Sequence, residues 1–381
     1  MKGNNLVVLG IRGLPAKHGG FETFAEYLCK YLVKRDWNIT VYCQEDGKGV
    51  SYESEWEGVR LIHIPVSKQG PVGTIIFDLK SVWHARDNKG LHLTLGYNTA
   101  CFNLIQRLYG ITNVINMDGI EWKRQKWRGV AKAWFWLNER LGCWFGNHLV
   151  ADHPRIEDHL ATRVARNKIT MIPYGAPSVT NGDVSILAEY GLVKNKYSIV
   201  IARPEPENSI LEIVSAFSKK QRGQNLVVLG TFTPATHPYH KAVMAAASDE
   251  VIFPGAIYDF EKVGALRFYS RFYIHGHQVG GTNPSLVEAL GAGCAVIAHD
   301  NQFNRWVADN GAHYFTDVNA LSSFFETDYL DDDFVQGLRT HSIQQFTERF
   351  QWDDVLAQYE SLLLKYSKNP KAISELQEDI L

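Results

Sequence analysis

The stretch Tyr273–Gly293, YIHGHQVGGTNPSLVEALGAG, decides how this chain is read. An apolar strand, Phe272–His275, runs into a glycine-bearing loop, and a helix then opens at Asn283-Pro284-Ser285 with proline suited to its first turn. The small residues Ala289, Gly291, Ala292 and Gly293 let that helix pack tightly on a sheet. Strand, glycine loop and helix in this order are the parts of a parallel α/β unit, in which ligands bind beyond the carboxyl ends of the strands. The amides of Gly280, Gly281, Thr282 and Asn283 are therefore expected to receive an anion such as a diphosphate. Glu288, about one turn into the helix, is expected to accept hydrogen bonds from ribose hydroxyls. His275 and His277 form an H-x-H pair, but no carboxylate or third histidine stands at useful local spacing, so no metal is expected. His275 is read as a hydrogen-bonding group for phosphate or sugar, with plain packing as the alternative.

Working outward, the same grammar covers both halves. Tyr197–Ala202, Leu226–Gly230, Glu250–Phe253 and Ala295–Ala298 read as further strands of the second half. Ser209–Lys219, Tyr239–Ser248, Tyr258–Phe268 and Pro284–Gly291 fit the helices between them. In the first half the strands are Leu6–Gly10, Asn38–Cys43, Val59–Ile64, Leu91–Leu95, Asn113–Asn116 and His148–Ala151. Phe21–Lys34, Asn98–Tyr109 and Gly129–Phe145 look helical. Short buried runs separated by helices imply parallel sheets covered on both faces. The expected fold is α/β, with two Rossmann-like doubly wound domains in succession. At 381 residues the chain exceeds one ordinary core. The seam falls in Ile172–Asp183, where prolines and glycines break the periodicity. This gives an N-terminal domain over 1–175 and a C-terminal domain over 176–351, with a helix at about 352–381 packing back on the first.

Three more segments lie where strands should end. Between the first strand and helix, GIRGLPAKHGGFE carries Gly19 and Gly20, which let backbone approach a ligand, and the cations Arg12 and Lys17. The alternative is a long glycine-rich turn. It holds no G-x-G-x-x-G, which argues against a dehydrogenase. In IARPEPEN, Arg203 is suited to hold phosphate oxygens in two parallel bonds, although a surface ion pair is the commoner use of such a residue. Asn208 or Ser209 is expected to cap the next helix. In NMDGIEWKR, Asp118 and Glu121 follow a buried strand; Asp152 follows the next one, and Tyr174 sits in the seam. Together these four are read as an acceptor wall, where a carboxylate orients or deprotonates a hydroxyl.

The balance of 39 basic and 41 acidic side chains gives a net charge of -2, so the totals point to no nucleic-acid partner. Five dispersed cysteines without a CxxC pair suit buried free thiols. No apolar run is long enough for a signal or a membrane span, so a cytoplasmic location is expected. Residues 121–145, EWKRQKWRGVAKAWFWLNERLGCWF, hold Trp122, Trp127, Trp134, Trp136 and Trp144 among an excess of lysine and arginine. They fit either a surface for anionic lipid at the inner face of the membrane or a core helix with a basic rim.

Taken together, these residues resemble the retaining family-four glycosyltransferases of GT-B fold, over nearly the whole chain. The family's arginine motif followed by Pro-Glu is matched by Arg203 and Pro206-Glu207, and its ribose-binding glutamate by Glu288. GIRGLPAKHGGFETF, MDGIEWKR and HGHQVGGTNPSLVEAL look more narrowly like the bacterial rhamnosyltransferase branch, which builds cell-surface polysaccharide. The resemblance implies two domains facing a central cleft, a donor that is a nucleotide sugar such as dTDP-rhamnose, and a lipid-linked or oligosaccharide acceptor. It also implies retention of configuration and no metal or other cofactor. The family usually has a glutamate where this chain has Gly280 and a lysine where it has Asn208; Arg12 or Lys17 is expected to supply the missing cation. A non-hydrolysing sugar-nucleotide epimerase and a catalytically silent nucleotide-sugar binding subunit are the alternatives.

Overall fold

The structure, a computed structural model, describes residues 4–17, 19–124, 126–327 and 331–367. The chain divides into two units, Met1–Pro173 with Trp352–Leu381, and Tyr174–Gln351. The first unit runs β1 (Asn5–Leu9), α1 (Gly19–Val33), β2 (Asn38–Asp46), β3 (Tyr52–Trp56), β4 (Val59–Val66), α2 (Gly70–Ala85) and β5 (Leu91–Leu95). It continues through α3 (Asn103–Leu108), β6 (Asn113–Asn116), α4 (Gly129–Phe145), β7 (His148–Ala151), α5 (Pro154–Ala161) and β8 (Ile169–Met171). Its sheet has the order β3-β4-β2-β1-β5-β6-β7-β8, parallel except for β3.

The second unit contains α6 (Ile186–Glu189), β9 (Tyr197–Ile201), α7 (Ile210–Phe217), β10 (Asn225–Leu229), α8 (Pro238–Ala245), β11 (Val251–Gly255) and α9 (Phe260–Phe268). There follow β12 (Phe272–His275), α10 (Pro284–Gly291), β13 (Val296–His299), α11 (Gln302–Ala308), β14 (Ala312–Phe315), α12 (Val318–Thr327) and α13 (Asp332–Arg349). The six strands are parallel, in the order β11-β10-β9-β12-β13-β14. The last helix, α14 (Trp352–Tyr366), belongs to the first unit. Trp352 stacks on Tyr27 of α1 at 4.7 Å between ring centres, and the Tyr359 hydroxyl accepts from Asn116 Nδ2 at 2.7 Å.

Both sheets are apolar on both faces because each is sandwiched between helices. In the second unit Ile199, Val227, Tyr273 and Val296 face α10, while Val200, Val228, Ile274 and Ile297 face α7 and α12. Where the sequence expectation and the structure differ, packing is the reason. β3 is a polar, exposed edge strand without the apolar alternation that reveals a strand. α2 opens Gly-Pro-Val-Gly and contains Thr74-Ile75-Ile76, a poor helix by propensity. Burial of Phe77, Val82 and Ala85 on the sheet overrides that. The helix expected over Asn98–Tyr109 is a tight turn, Ala100–Phe102, followed by the short α3.

Each sheet reverses its strand order at one place, between β1 and β5 in the first unit and between β9 and β12 in the second. Crossovers leave such a point in opposite directions, so the loops beyond it part and open a crevice.

Candidate functional site

At the β9/β12 reversal, two loops are locked together. A Cβ on Gly276 would lie 2.2 Å from the Asn208 carbonyl oxygen, so only glycine lets the strands' extensions approach this closely. Ser209, held in the left-handed region at φ 51°, donates its hydroxyl to the Gly276 carbonyl at 2.8 Å. Gln278 donates its amide to the Glu207 carbonyl at 2.9 Å and its side chain to Ser209 Oγ at 3.0 Å. The expected cap of α7 by Asn208 or Ser209 is therefore corrected. Asn208 Nδ2 turns back to the Arg203 carbonyl at 2.8 Å, and neither side chain caps the helix. Arg203 itself is exposed, and its guanidinium has no partner among the described residues.

The neighbouring helix α10 is pinned at its start. Asn283 Oδ1 accepts from the Ser285 amide at 3.0 Å, and Ser285 Oγ reaches both the Ile201 carbonyl, at 3.1 Å, and the Tyr273 hydroxyl. Gly280, at φ 144°, and Gly281 precede it, and their amides meet no protein acceptor among the described residues; Thr282 is buried. Glu288 Oε2 accepts from Arg267 Nη2 at 2.5 Å. Arg267 is buried on α9 and has no other side-chain partner among the described residues, so it fixes the carboxylate while leaving Oε1 open. His275 is fully buried, its Nε2 meets no partner among the described residues, and its ring stacks on that of His277 at 4.3 Å. Burial, reinforced by His277 and His299, pushes its pKa well below the ordinary value, so the imidazole is neutral. Among the described residues no three histidine, cysteine or carboxylate side chains are grouped to hold a metal ion.

The β1/β5 reversal in the first unit is built differently. A Cβ on Gly10 would strike the Leu95 carbonyl oxygen at 2.3 Å, which closes the base of the loop. Two loop amides, those of Arg12 and Ala16, are already held by the carboxylates of Glu22 and Glu26 at 3.2 and 2.8 Å. Gly19 and Gly20, where an anion is expected, open α1, and neither of these bonds takes their amides. The Arg12 and Lys17 side chains are exposed and form no ion pair among the described residues.

Farther along the same edge, Asn116 pairs with Val150, so Asp118 and Asp152 stand two residues beyond paired positions on adjacent strands. Asp118 is held at φ 52°, with its amide bonded to Asn116 Oδ1 at 2.9 Å. Glu121, expected on the acceptor wall, is already engaged. Its carboxylate takes Arg124 at 2.8 Å and Trp127 at 3.0 Å, and its amide donates to the Tyr97 hydroxyl at 2.8 Å. Burial alone would raise its pKa, but Arg124, Trp127 and Lys126 outweigh burial and hold it low, which makes it a weak base. Tyr174 is the first residue of the second unit.

The sequence reading missed the groups that hold these residues. Glu139 is a buried hub for Trp122 at 2.5 Å, His159 at 2.9 Å and Arg163 at 3.3 Å, fastening the turn that carries Glu121. Asp78 is buried against the Thr99 hydroxyl at 2.7 Å, and burial, against that hydrogen bond, raises its pKa to about 7. Neither these nor Arg267 carries a sequence signal, because a charged residue on a helix is ordinarily solvated.

Residues 3–177 match a family model described as a domain of unknown function, DUF1972. No curated protein matches the chain significantly. Among solved structures, sucrose-phosphate synthase from Thermosynechococcus elongatus is similar at a TM-score of 0.80 and 15% identity, over 95% of this chain and 99% of that one. Anabaena HepE in complex with UDP-glucose is similar at 0.74 and 12%, over 95% and 99%. An α,α-trehalose-phosphate synthase (UDP-forming) from Burkholderia xenovorans, in complex with glucose-6-phosphate, is similar at 0.70 and 11%, over 95% and 100%. At these identities the likeness is one of fold, and the fold is that of GT-B glycosyltransferases.

Proposed function

We propose that the chain is a glycosyltransferase that takes its sugar from a nucleoside-diphosphate donor bound at the β9/β12 edge. The observation that carries this reading is the combination of Gly280 and Gly281 amides and an Arg203 guanidinium without partners among the described residues, and a Glu288 carboxylate held by buried Arg267. The amides and Arg203 receive the diphosphate, and Glu288 accepts from the ribose. As the glycosidic bond breaks, charge grows on the leaving diphosphate, where these donors stabilise it without reorganising. Neutral His275, its Nε2 still to be satisfied, offers a bond to phosphate or sugar. That HepE, of the same fold, holds UDP-glucose supports a nucleotide sugar as the ligand.

On the first unit, Asp118 and Asp152 are the carboxylates assigned to the acceptor hydroxyl, and Glu121 is left out because Arg124 and Trp127 occupy it. Arg12 and Lys17 are assigned to balance charge where the family has a lysine in place of Asn208. The resemblance to the rhamnosyltransferase branch supports dTDP-rhamnose as the donor, a lipid-linked or glycan acceptor, retention of configuration and no need of a divalent ion.

A thermal-shift screen of nucleotide sugars is the test, since a ligand that binds the native state raises its melting temperature. One nucleoside-diphosphate sugar should raise it clearly, and Arg203→Ala should lower turnover by about tenfold or more while nucleotide affinity falls less. A screen in which no nucleotide sugar shifts the transition would overturn the assignment.

A further inference from the structure

Helix α4 carries large apolar side chains on its outward side as well as its inward one. Its inward side buries Asn138, Glu139, Gly142 and Cys143, whereas Val130, Trp136, Leu137 and Trp144 point outward, with Val130 87% and Trp144 56% exposed. Three of the five tryptophans around it are not part of that surface. Trp122, Trp127 and Trp134 spend their indole N–H groups on Glu139, Glu121 and the Asn98 carbonyl. Only Trp136 and Trp144 of this group are exposed.

The apolar face does not end at α4. The chain steps in one direction through β4, β5, β6 and β7 only after β1 and β2, so right-handed crossovers put α2, α3 and α4 on one side of the sheet. More than half of the large apolar side chains exposed among the described residues lie on these three helices and Tyr109, which ends α3; Trp83 and Leu108 are prominent among them. Trp83 and Tyr109 meet edge to face at 6.5 Å, joining α2 to the end of α3. The charges there have one sign. Lys80, Lys89, Arg107, Arg128 and Lys132 are exposed, while Asp78 and Glu139 are buried and Asp87 is paired with Arg86. Cations also sit on the rings: Arg86 on Trp83 at 4.5 Å, Lys89 on Tyr109 at 5.6 Å and Arg140 on Trp136 at 3.5 Å. A net charge of -2 for the whole chain makes this a local concentration.

We infer that the α2–α3–α4 face of the first unit docks on the surface of a bilayer containing anionic lipid. Exposed indole and phenol rings suit the headgroup layer, where an apolar ring and a polar edge are both satisfied, and the flanking cations meet lipid phosphates. A second copy of the chain fits poorly, because a two-fold contact would bring this basic face against itself. No helix among the described residues is long and apolar enough to cross a membrane, so the contact is one of surface. The inference stands on its own observations and does not need the proposed transfer activity.

Flotation of the full chain with vesicles tests it, comparing phosphatidylcholine alone with an equal mixture of phosphatidylcholine and phosphatidylglycerol. The protein should float with the mixture and not with phosphatidylcholine, and raising salt from about 0.05 to 0.5 M should release it. Trp136→Ser with Trp144→Ser, and separately Arg128→Glu with Lys132→Glu, should each lower partitioning by about tenfold or more at an unchanged melting temperature. Val184→Ser with Val193→Ser, on exposed positions of the second unit, should leave it unchanged. Absence of flotation, equal flotation with both vesicles, or oligomers in solution that the tryptophan variant abolishes would each overturn the inference.

Discussion

The two points of strand reversal use the same parts to opposite ends. Each has a strand, a glycine-bearing loop and a helix, and each has a glycine whose missing Cβ lets backbone cross within contact of a neighbouring carbonyl. At β1/β5 two loop amides, those of Arg12 and Ala16, are answered by Glu22 and Glu26, and the rest of that edge holds Asp118, Glu121 and Asp152, with Asp78 buried on α2. At β9/β12 the carboxylate of Glu288 is tied to Arg267, the Gly280 and Gly281 amides and the Arg203 guanidinium meet no partner among the described residues, and the neutral imidazole of His275 is buried. The same glycine loop before a helix thus offers fewer open amides where carboxylates stand beside it. What decides is whether the protein's own carboxylates have already taken the amides.

The sharpest way to break this contrast is at Glu288. Glu288→Ala leaves Arg267 buried without its partner and should lower the unfolding free energy of the second unit by about 3 kcal/mol. It should also weaken nucleotide binding by more than about tenfold, through lost charge-assisted bonds. Glu288→Gln keeps an acceptor and should cost about 1 kcal/mol of stability. Denaturant unfolding with calorimetric titration of UDP and dTDP reads both, and an unchanged alanine variant would remove Glu288 from the site.

The acidic edge is tested next through Asp78. Its native pKa of about 7 lies above an unfolded value near 3.9, so the native state binds more protons between those pH values. Stability from this group is full below about pH 4 and declines as pH rises toward 7. Asp78→Asn should therefore be more stable than the native protein at pH 8, by up to about 4 kcal/mol, with the gap closing by pH 4. Equal pH dependence of the two would show that Asp78 is solvated.

The smallest effect is expected where the two reversals differ most. Glu22→Ala frees the Arg12 amide and should cost about 1 kcal/mol of stability, while nucleotide affinity moves by less than about threefold. A large gain in nucleotide affinity would mean that the β1/β5 loop is a second anion site held shut. Loss of affinity in Arg12→Ala or Lys17→Ala would instead show that this loop contributes charge to the donor, and intact affinity and turnover in both would end that assignment.

Much of the architecture was legible because parallel strands are buried on both faces and so read as unbroken apolar runs. Leu91–Leu95, Asn113–Asn116, His148–Ala151 and Phe272–His275 coincide with β5, β6, β7 and β12. β3 and α2 were not legible, one because its residues are polar and exposed, the other because poor helix formers are held by what they bury. At the site, Asn283, Gly280 and Glu288 declare themselves by type and spacing along one loop and helix. Their supports do not: Arg267 lies on another helix, and Ser209 and Gln278 meet only because β9 and β12 are neighbours.

Local order of residue types by itself determined strands, helices and the loops between them, since periodicity and glycine placement act over a few residues. Which carboxylate is spent on a partner, which amide stays open, and which tryptophans face outward were decided only by tertiary structure. Those outcomes depend on groups far apart in the chain, and hydrogen bonding and burial act through space.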